Sequence, residues 1–252
     1  MLRLMQFQHI LITGASSGIG EALALAYAAP GIHLSLSGRD AARLDAVVNA
    51  CRSKGASANG AIVDAADEAA TAQWIHACDA QAPLDLVVAN AGISGGMGSR
   101  EQTRRILRTN VDGVVNTVLP TINVMRTRKR GQIAIISSLA AFRGVGGAPA
   151  YGASKAAVRV WGEGLRPVLA RDGIGVSVIC PGFVVSRMTD VNRFHMPFLM
   201  SAEKAAKIIQ RGLAANRGRI SFPAPMALLI WLLSALPNSW AEALTRKLPD
   251  KN

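Results

Sequence analysis

The sequence predicts an α/β protein with a doubly wound parallel sheet in a single domain, and three observations carry that prediction. Short, almost wholly apolar runs alternate with longer segments of helical apolar spacing along the 252 residues. The first such run leads straight into a glycine-rich turn and then into a helical pattern. No Ser/Pro/Gly-rich linker, low-complexity stretch or internal repeat divides the chain, and 50% of it is hydrophobic, enough to fill one core.

The elements follow in order. Residues 9–13 (His-Ile-Leu-Ile-Thr) are too short for a helix and read as a strand; beyond the turn, Leu23, Leu25 and Tyr27 keep helical spacing. A strand near 32–37 precedes a helix from 40, a strand near 59–63 a helix from 67, and a strand at 85–89 one helix near 100–125. A strand at 132–137 leads to a helix at 151–171, and a strand at 174–180 to a helix at 202–215. Strands this uniformly apolar, separated by helices, belong in a parallel sheet covered on both faces.

Three places carry chemistry. In Gly14-Ala-Ser-Ser-Gly-Ile-Gly20, glycines between a strand and a helix let the backbone approach a pyrophosphate, to which the helix start presents unpaired N–H groups. A dinucleotide suits that turn, although Gly-x-x-x-Gly-x-Gly departs from the Gly-x-Gly-x-x-Gly fingerprint and a tight turn without ligand is the alternative. Tyr151 and Lys155, four apart, share a helix face, so the ammonium is expected to draw the phenol's pKa down from about 10 toward a working acid/base. A surface lysine beside a packed tyrosine is the plainer reading of that pair. Ser138, just past a strand end, lies where loops at the carboxyl edge of a parallel sheet meet ligand, with Ser137 as its rival.

Thr13-Gly-Ala-Ser-Ser-Gly-Ile-Gly20, Asn90-Ala-Gly92, Ser138, Tyr151-Gly-Ala-Ser-Lys155 and Pro181-Gly182 occur in an order and at separations that resemble the single-domain short-chain dehydrogenases/reductases, over about residues 9–220. The resemblance implies a Rossmann-type fold, a nicotinamide cofactor and interconversion of a carbonyl with a secondary alcohol. It makes Tyr151 the acid/base, gives Ser138 rather than Ser137 the substrate oxygen, and adds the nicotinamide ribose to the tasks of Lys155. Asn110 resembles the helix asparagine that anchors a water in the proton relay; capping or kinking its helix is the other reading. Cofactor contacts are implied at Gly14, Ser16, Ser17, Gly18, Ile19, Gly20, Arg39, Asp64, Asn90, Ala91, Gly92, Tyr151, Lys155, Pro181 and Gly182, with Asp64 at the adenine amino group.

Cofactor choice turns on residues 35–40. An NAD pocket places a carboxylate at the tip of the second strand, where it binds both ribose hydroxyls and repels a 2′-phosphate. Gly38 holds that place, and Arg39 follows, which resembles family members that grip the 2′-phosphate with a guanidinium, so NADP(H) is the preferred expectation. Asp40 is expected to cap the next helix; shifted by one residue it would instead select NAD(H).

The formal charge of +12 fits an acidic substrate, a phosphate-rich cofactor or an anionic surface, and no nucleic-acid motif accompanies it, so no nucleic-acid partner is expected. Cys51, Cys78 and Cys180 are far apart, form no C-x-x-C and suit a reducing compartment; with only a few residues before the first strand, no cleaved signal peptide is expected, and the reading is cytoplasmic. The four histidines are scattered and no metal site is expected. By resemblance, the helices near 100–125 and 151–171 pair in a homodimer or homotetramer. A non-catalytic protein that senses a dinucleotide or binds a partner on the same fold is the alternative function.

Two segments depart from the pattern. The stretch 92–98 (Gly-Ile-Ser-Gly-Gly-Met-Gly) is glycine-rich and short; residues 183–200 resemble a mobile lid, apolar enough to suggest a lipophilic carbonyl substrate, with packing on the core or on a subunit as the other reading, while Arg143 and Arg187, able to meet an acidic group, keep acyl thioesters on carrier molecules open. Residues 1–222 read as the dinucleotide-binding and catalytic domain and 223–252 as an apolar, basic extension. Its run 224–237 is apolar on all sides but short of the ~20 residues that cross a bilayer. It belongs in a subunit interface, across the substrate cleft, or in peripheral contact with the cytoplasmic face of a membrane, where Trp231 and Trp240 suit interfacial depth and Arg211, Arg217, Arg219, Arg246 and Lys247 flank the run.

Overall fold

The computed structural model describes residues 7–95, 98–144, 147–192 and 194–245. Seven strands form one parallel sheet: β1 (His9–Ile12), β2 (His33–Gly38), β3 (Ser57–Ile62), β4 (Leu86–Ala89), β5 (Gly131–Ile136), β6 (Ile174–Pro181) and β7 (Arg219–Phe222), in the spatial order β3-β2-β1-β4-β5-β6-β7. Ten α-helices accompany them among the described residues: α1 (Gly18–Tyr27), α2 (Ala41–Ser53), α3 (Glu68–Gln81), α4 (Arg100–Leu107), α5 (Gly113–Arg128), α6 (Pro149–Ala170), α7 (Arg187–Asp190), α8 (Ala202–Ala214), α9 (Ala224–Ala235) and α10 (Asn238–Thr245).

Alternation along the strands builds two cores. On β1, Ile10 and Ile12 face Leu23, Val47 and Ile209 from α1, α2 and α8, while Leu11 faces the other way, into the cluster of Ile75, Val118 and Val158 from α3, α5 and α6. The central strands are buried on both faces, as the apolar runs predict; β3 is an edge strand and leaves Ile62 exposed. The sheet is therefore doubly wound. The strand order reverses between β1 and β4, which run parallel, and a crevice opens beyond their carboxyl ends.

Hydrogen bonds fix that crevice from below. The hydroxyl of Thr13 accepts from the backbone N–H of Asn90 and of Ala91 at 3.0 and 3.2 Å, and the Asn90 side-chain amide donates to the carbonyls of Thr13 and Gly14 at 2.9 Å each. The ends of β1 and β4 are thus tied by groups that have no other role in the sheet ladder. At the opposite end His9 is buried, its ring nitrogens 2.8 Å from the Ala82 carbonyl and 2.9 Å from the Ser35 hydroxyl, a satisfied core histidine whose pKa burial pushes down.

The expected single helix over 100–125 is two helices. Between α4 and α5 the chain widens into one π-helical turn, Arg108–Asp112, which contains Asn110. An extra residue per turn turns the fully buried Asn110 side chain inward, where its carbonyl accepts from Ile93 N–H at 2.8 Å and its amide donates to the Ile93 carbonyl and the Ser154 hydroxyl, both at 2.9 Å. Three satisfied bonds offset the wider turn. In effect Asn110 clamps the segment after β4 to α6.

Candidate active site

The crevice is a cleft of about 940 Å³ that runs from the tip of β2, across the glycine turn, to the carboxyl ends of β5 and β6. Every position expected to touch cofactor lines it except Gly20, which supports the turn from behind. A Cβ on Gly20 would lie 2.4 Å from the Gly14 carbonyl oxygen, and one on Gly14, where φ is +66°, would lie 2.8 Å from Ala91 Cα. Only glycine fits either place, and the turn is held close to the end of β4 for that reason. Gly18 starts α1 at φ +60° with Ser17 as its N-cap, whose side chain makes no capping bond. Ser17 and the first amides of α1 therefore face the cleft with hydrogen-bonding capacity in hand, a cradle that fits a pyrophosphate.

At the β2 end, Asp40 resolves as a helix cap. Its carboxylate accepts from Arg43 N–H at 3.1 Å and pairs with the Arg43 guanidinium at 2.8 Å. Arg39 is exposed, lines the cleft and makes no ion pair among the described residues. Gly38 offers no carboxylate at the strand tip, and Ser16 lies 3.1 Å from where a Cβ there would stand. Arg43 was not singled out in the sequence; lying four residues beyond Arg39, it brings a second guanidinium to the same end. Asp64 also lines the cleft, its carboxylate accepting from Ala66 N–H at 3.1 Å.

At the other end, Tyr151 and Lys155 sit in the first turns of α6, which Gly152 lets approach the Ser138 loop: a Cβ there would lie 3.3 Å from the Ala140 carbonyl. Ser138, two residues beyond the end of β5, caps a short 3-10 turn (Leu139–Ala141), its hydroxyl accepting from Ala140 N–H at 3.1 Å and donating to the Pro181 carbonyl at 3.5 Å, and it stands close enough to the Tyr151 hydroxyl to draw that group's pKa down. Ser137 is buried, and its hydroxyl is occupied with the Lys155 carbonyl at 2.8 Å, so of the two serines Ser138 faces the tyrosine. Lys155 is buried, its Nζ donating to the Ile136 carbonyl at 2.9 Å and lying 6.0 Å from the Tyr151 ring centroid.

Electrostatics here differ from the sequence expectation. Burial pushes the Tyr151 phenol above its ordinary value, with the nearby Ser138 hydroxyl pulling the other way, and burial lowers Lys155 to about 8. The ammonium is aimed at a backbone carbonyl rather than at the phenol, so it does not offset the tyrosine's desolvation. Tyr151 is accordingly protonated at neutral pH.

The lid is pinned at its neck. Val185 N–H donates to the Met200 carbonyl at 2.9 Å and Met200 N–H to the Phe183 carbonyl at 3.1 Å. Ser186 reaches back to the glycine turn, where a Cβ on Gly18 would lie 3.0 Å from it. Phe183, Met188, Phe194 and Phe198 line the cleft. So does α9, which sequence reasoning left without a fixed place: Met226, Ile230 and Leu233, half-buried at i, i+4 and i+7, close the cleft beside Leu139 and Pro181. Arg143 lines the cleft while Arg187, on α7, is exposed. Gly96, Met97, Arg193, Arg246 and Lys247 lie outside the described residues. No group of three metal-ligating side chains occurs among the described residues.

Comparison with known proteins agrees with this architecture. The family model for short chain dehydrogenase matches residues 8–196. An uncharacterized oxidoreductase of Myxococcus xanthus is 39% identical over 249 residues, spanning 97% of this chain and 98% of its own. The ketoacyl reductase assigned to the monensin polyketide synthase of Streptomyces virginiae is 34% identical over 233 residues, 89% of each chain. A crystal structure of a short-chain type dehydrogenase/reductase from Mycobacterium marinum superposes with a TM-score of 0.79 at 23% identity, covering 89% of this chain and 97% of the other, which bears on the fold. The chain belongs to the short-chain dehydrogenase family of NAD(P)(H)-dependent oxidoreductases.

Proposed function

We propose that the protein reduces a lipophilic or acyl-type carbonyl to a secondary alcohol, with NADPH preferred to NADH. The observation that carries this reading is one cleft with Ser138, Tyr151 and Lys155 at its apolar end and the unpaired guanidinium of Arg39 at the other. Gly14, Ser16, Ser17, Gly18 and Ile19 hold the pyrophosphate, with Gly20 behind them; Arg39, helped by Arg43, holds a 2′-phosphate, and Asp64 the adenine. Asn90, Ala91, Gly92, Pro181 and Gly182 flank the nicotinamide half, whose ribose meets Tyr151 and Lys155. When bound, the nicotinamide supplies the hydride.

The chain's own groups handle the oxygen. The Ser138 hydroxyl donates a hydrogen bond to the carbonyl oxygen and stabilises the charge that develops there. Tyr151, held protonated by its buried setting, delivers its proton to the same oxygen. Lys155 places a cation behind both, and Asn110 keeps the segment after β4 locked to α6. In the oxidation direction Tyr151 takes the proton back.

The apolar lining from the lid and α9 supports a lipophilic substrate, and Arg143 beside it supports an acyl thioester within that class, in keeping with the name of the Streptomyces virginiae relative. We read residues 1–222 as the catalytic domain and 223–252 as an extension that completes its substrate end. Exposed Leu107 on α4, Leu119 on α5, and Val160 and Val168 on α6 support a homodimer or homotetramer. Three buried free thiols support a cytoplasmic setting. A spectrophotometric screen of steroids, aliphatic ketones, sugars and 3-oxoacyl thioesters with both nicotinamides tests the reading. Cofactor binding without turnover of any carbonyl or alcohol would favour a dinucleotide sensor instead.

A further inference from the structure

The substrate end of the cleft has an unusual rim. Phe198 from the lid, Leu229 and Leu232 from α9 and Leu244 from α10 line the cleft and are at the same time among the most exposed large apolar side chains of the protein. Beside them stand Trp231 and Trp240, 59% and 66% exposed. Three of these residues, Leu229, Trp231 and Leu232, lie on α9, a helix that faces two ways. Met226 and Ile230 pack against Leu139 and Cys180, while Leu228, Trp231 and Leu232 of α9 stay exposed. An apolar ring around an open cleft mouth is costly in water and marks a contact surface.

The occupant can be argued from what the ring surrounds. A second copy of the chain seated on it would stopper the mouth through which substrate must pass. A lipid surface is fluid, covers the same side chains, and brings a lipophilic carbonyl to the opening. The twelve residues of α9 span about 18 Å at the α-helical rise, far short of the ~30 Å hydrocarbon core, and among the described residues no helix is long and apolar enough to cross a membrane. Between residues 224 and 245 the one charged side chain is Glu242, so α9 enters an apolar layer without carrying an ion with it. The chain's +12 charge favours an anionic surface, and Arg143, at the same end of the cleft, makes no ion pair among the described residues.

We propose that this rim seats the protein on the surface of an anionic bilayer, with Leu229, Trp231, Leu232 and Trp240 in the outer lipid layer and the cleft mouth open to it. The passage of substrate from lipid to cleft rests on the carbonyl-reductase reading; the docking does not.

Sedimentation of the full-length protein with phosphatidylcholine vesicles, with and without phosphatidylglycerol, tests the docking without cofactor or turnover. The wild type is expected to sediment with the anionic vesicles. Replacing Trp231 and Trp240 together by Glu, neither of which lines the cleft, is expected to weaken that binding about tenfold or more at unchanged reductase rate toward a water-soluble ketone. A wild type that stays in the supernatant with both vesicles at low salt overturns the proposal, as does equal binding by the double variant. A double variant whose mass by light scattering falls to that of a monomer from a larger wild type makes the ring a subunit interface and likewise overturns it. Should the double variant fail to fold, tryptophan quenching by lipids brominated in the upper acyl chain decides. Quenching in the wild type that is lost in the Trp231→Phe, Trp240→Phe protein supports docking, and no quenching refutes it. Failure of any of these leaves the reductase assay untouched, and an inactive enzyme that still binds vesicles would refute only the reaction.

Discussion

Lys155 donates a 2.9 Å hydrogen bond to the carbonyl of Ile136, the last residue of β5, from a position almost wholly removed from water. Burial lowers its pKa from the usual 10.5 to about 8. Between those values the unfolded chain still holds a proton that the folded chain has released, so this residue's contribution to stability rises with pH across the window. Comparing urea unfolding of the cofactor-free wild type and Lys155→Met at about pH 7 and about pH 9.5 should show the difference moving in favour of the wild type. A difference that stays constant would mean that the ammonium reaches water.

Tyr151→Phe removes the transferable proton and leaves the cleft's shape unchanged. Turnover should fall by about 10²–10⁴-fold while NADPH binding stays nearly intact. A variant retaining more than about a tenth of the wild-type rate would take the acid/base role away from Tyr151. Because burial keeps the phenol protonated, the wild-type reduction rate should show no loss toward mildly acidic pH from this group.

Asp40 and Arg39 are neighbours with separable tasks. Arg39→Ala should weaken NADPH by roughly tenfold, about 1.4 kcal/mol, and leave NADH alone, since only the former has a 2′-phosphate for the guanidinium. Asp40→Ala removes the cap of α2 and should cost about 1 kcal/mol of stability while keeping the NADPH preference. If titration of the Asp40 variant instead reversed the preference, the ribose would be read by the carboxylate after all.

The parts of this structure that were legible share one property: their geometry follows from local spacing. Apolar runs bounded by turns marked six of the seven strands of the doubly wound sheet, the short edge strand β7 being the exception, and Tyr151 and Lys155 declared a shared helix face by their separation. Asn110 was visible as a residue but not as a clamp, because a π turn inserts one residue without disturbing the apolar pattern enough to break the apparent helix. The pKa of Tyr151 was misjudged for a similar reason. Sequence spacing gives the proximity of Lys155 but not the carbonyl of Ile136 that competes for its protons. α9 has no polar face, so periodicity offered no way to tell its cleft side from its exposed side. Arg43 was hidden by an ordinary helical context.

Exposed apolar side chains near and on α5, and on α6, should be covered in solution by symmetry-related copies. Light scattering at micromolar concentration is expected to give at least a dimer mass, and Leu119→Glu with Val160→Glu should reduce it. A monomeric wild type would leave these side chains without a subunit partner.

The contact of α9 with the cleft makes a prediction about substrate length. Ile230 is half-buried on the inner side of α9 and lines the cleft, remote from the glycine turn and from Arg39. Its truncation in Ile230→Ala removes apolar surface that only the tail of a long substrate can reach, a loss of about 1–2 kcal/mol at roughly 0.8 kcal/mol per methylene-sized group. That corresponds to roughly five- to thirtyfold in kcat/KM for the longest member of a homologous ketone or 3-oxoacyl series, with little change for the shortest. NADPH affinity should be unaltered, since no cofactor position touches this residue in the proposed arrangement. Steady-state kinetics across the series separates the alternatives. A uniform drop at every chain length would mean that α9 serves the fold around Ser138, through Leu139 and Cys180, and does not measure the substrate.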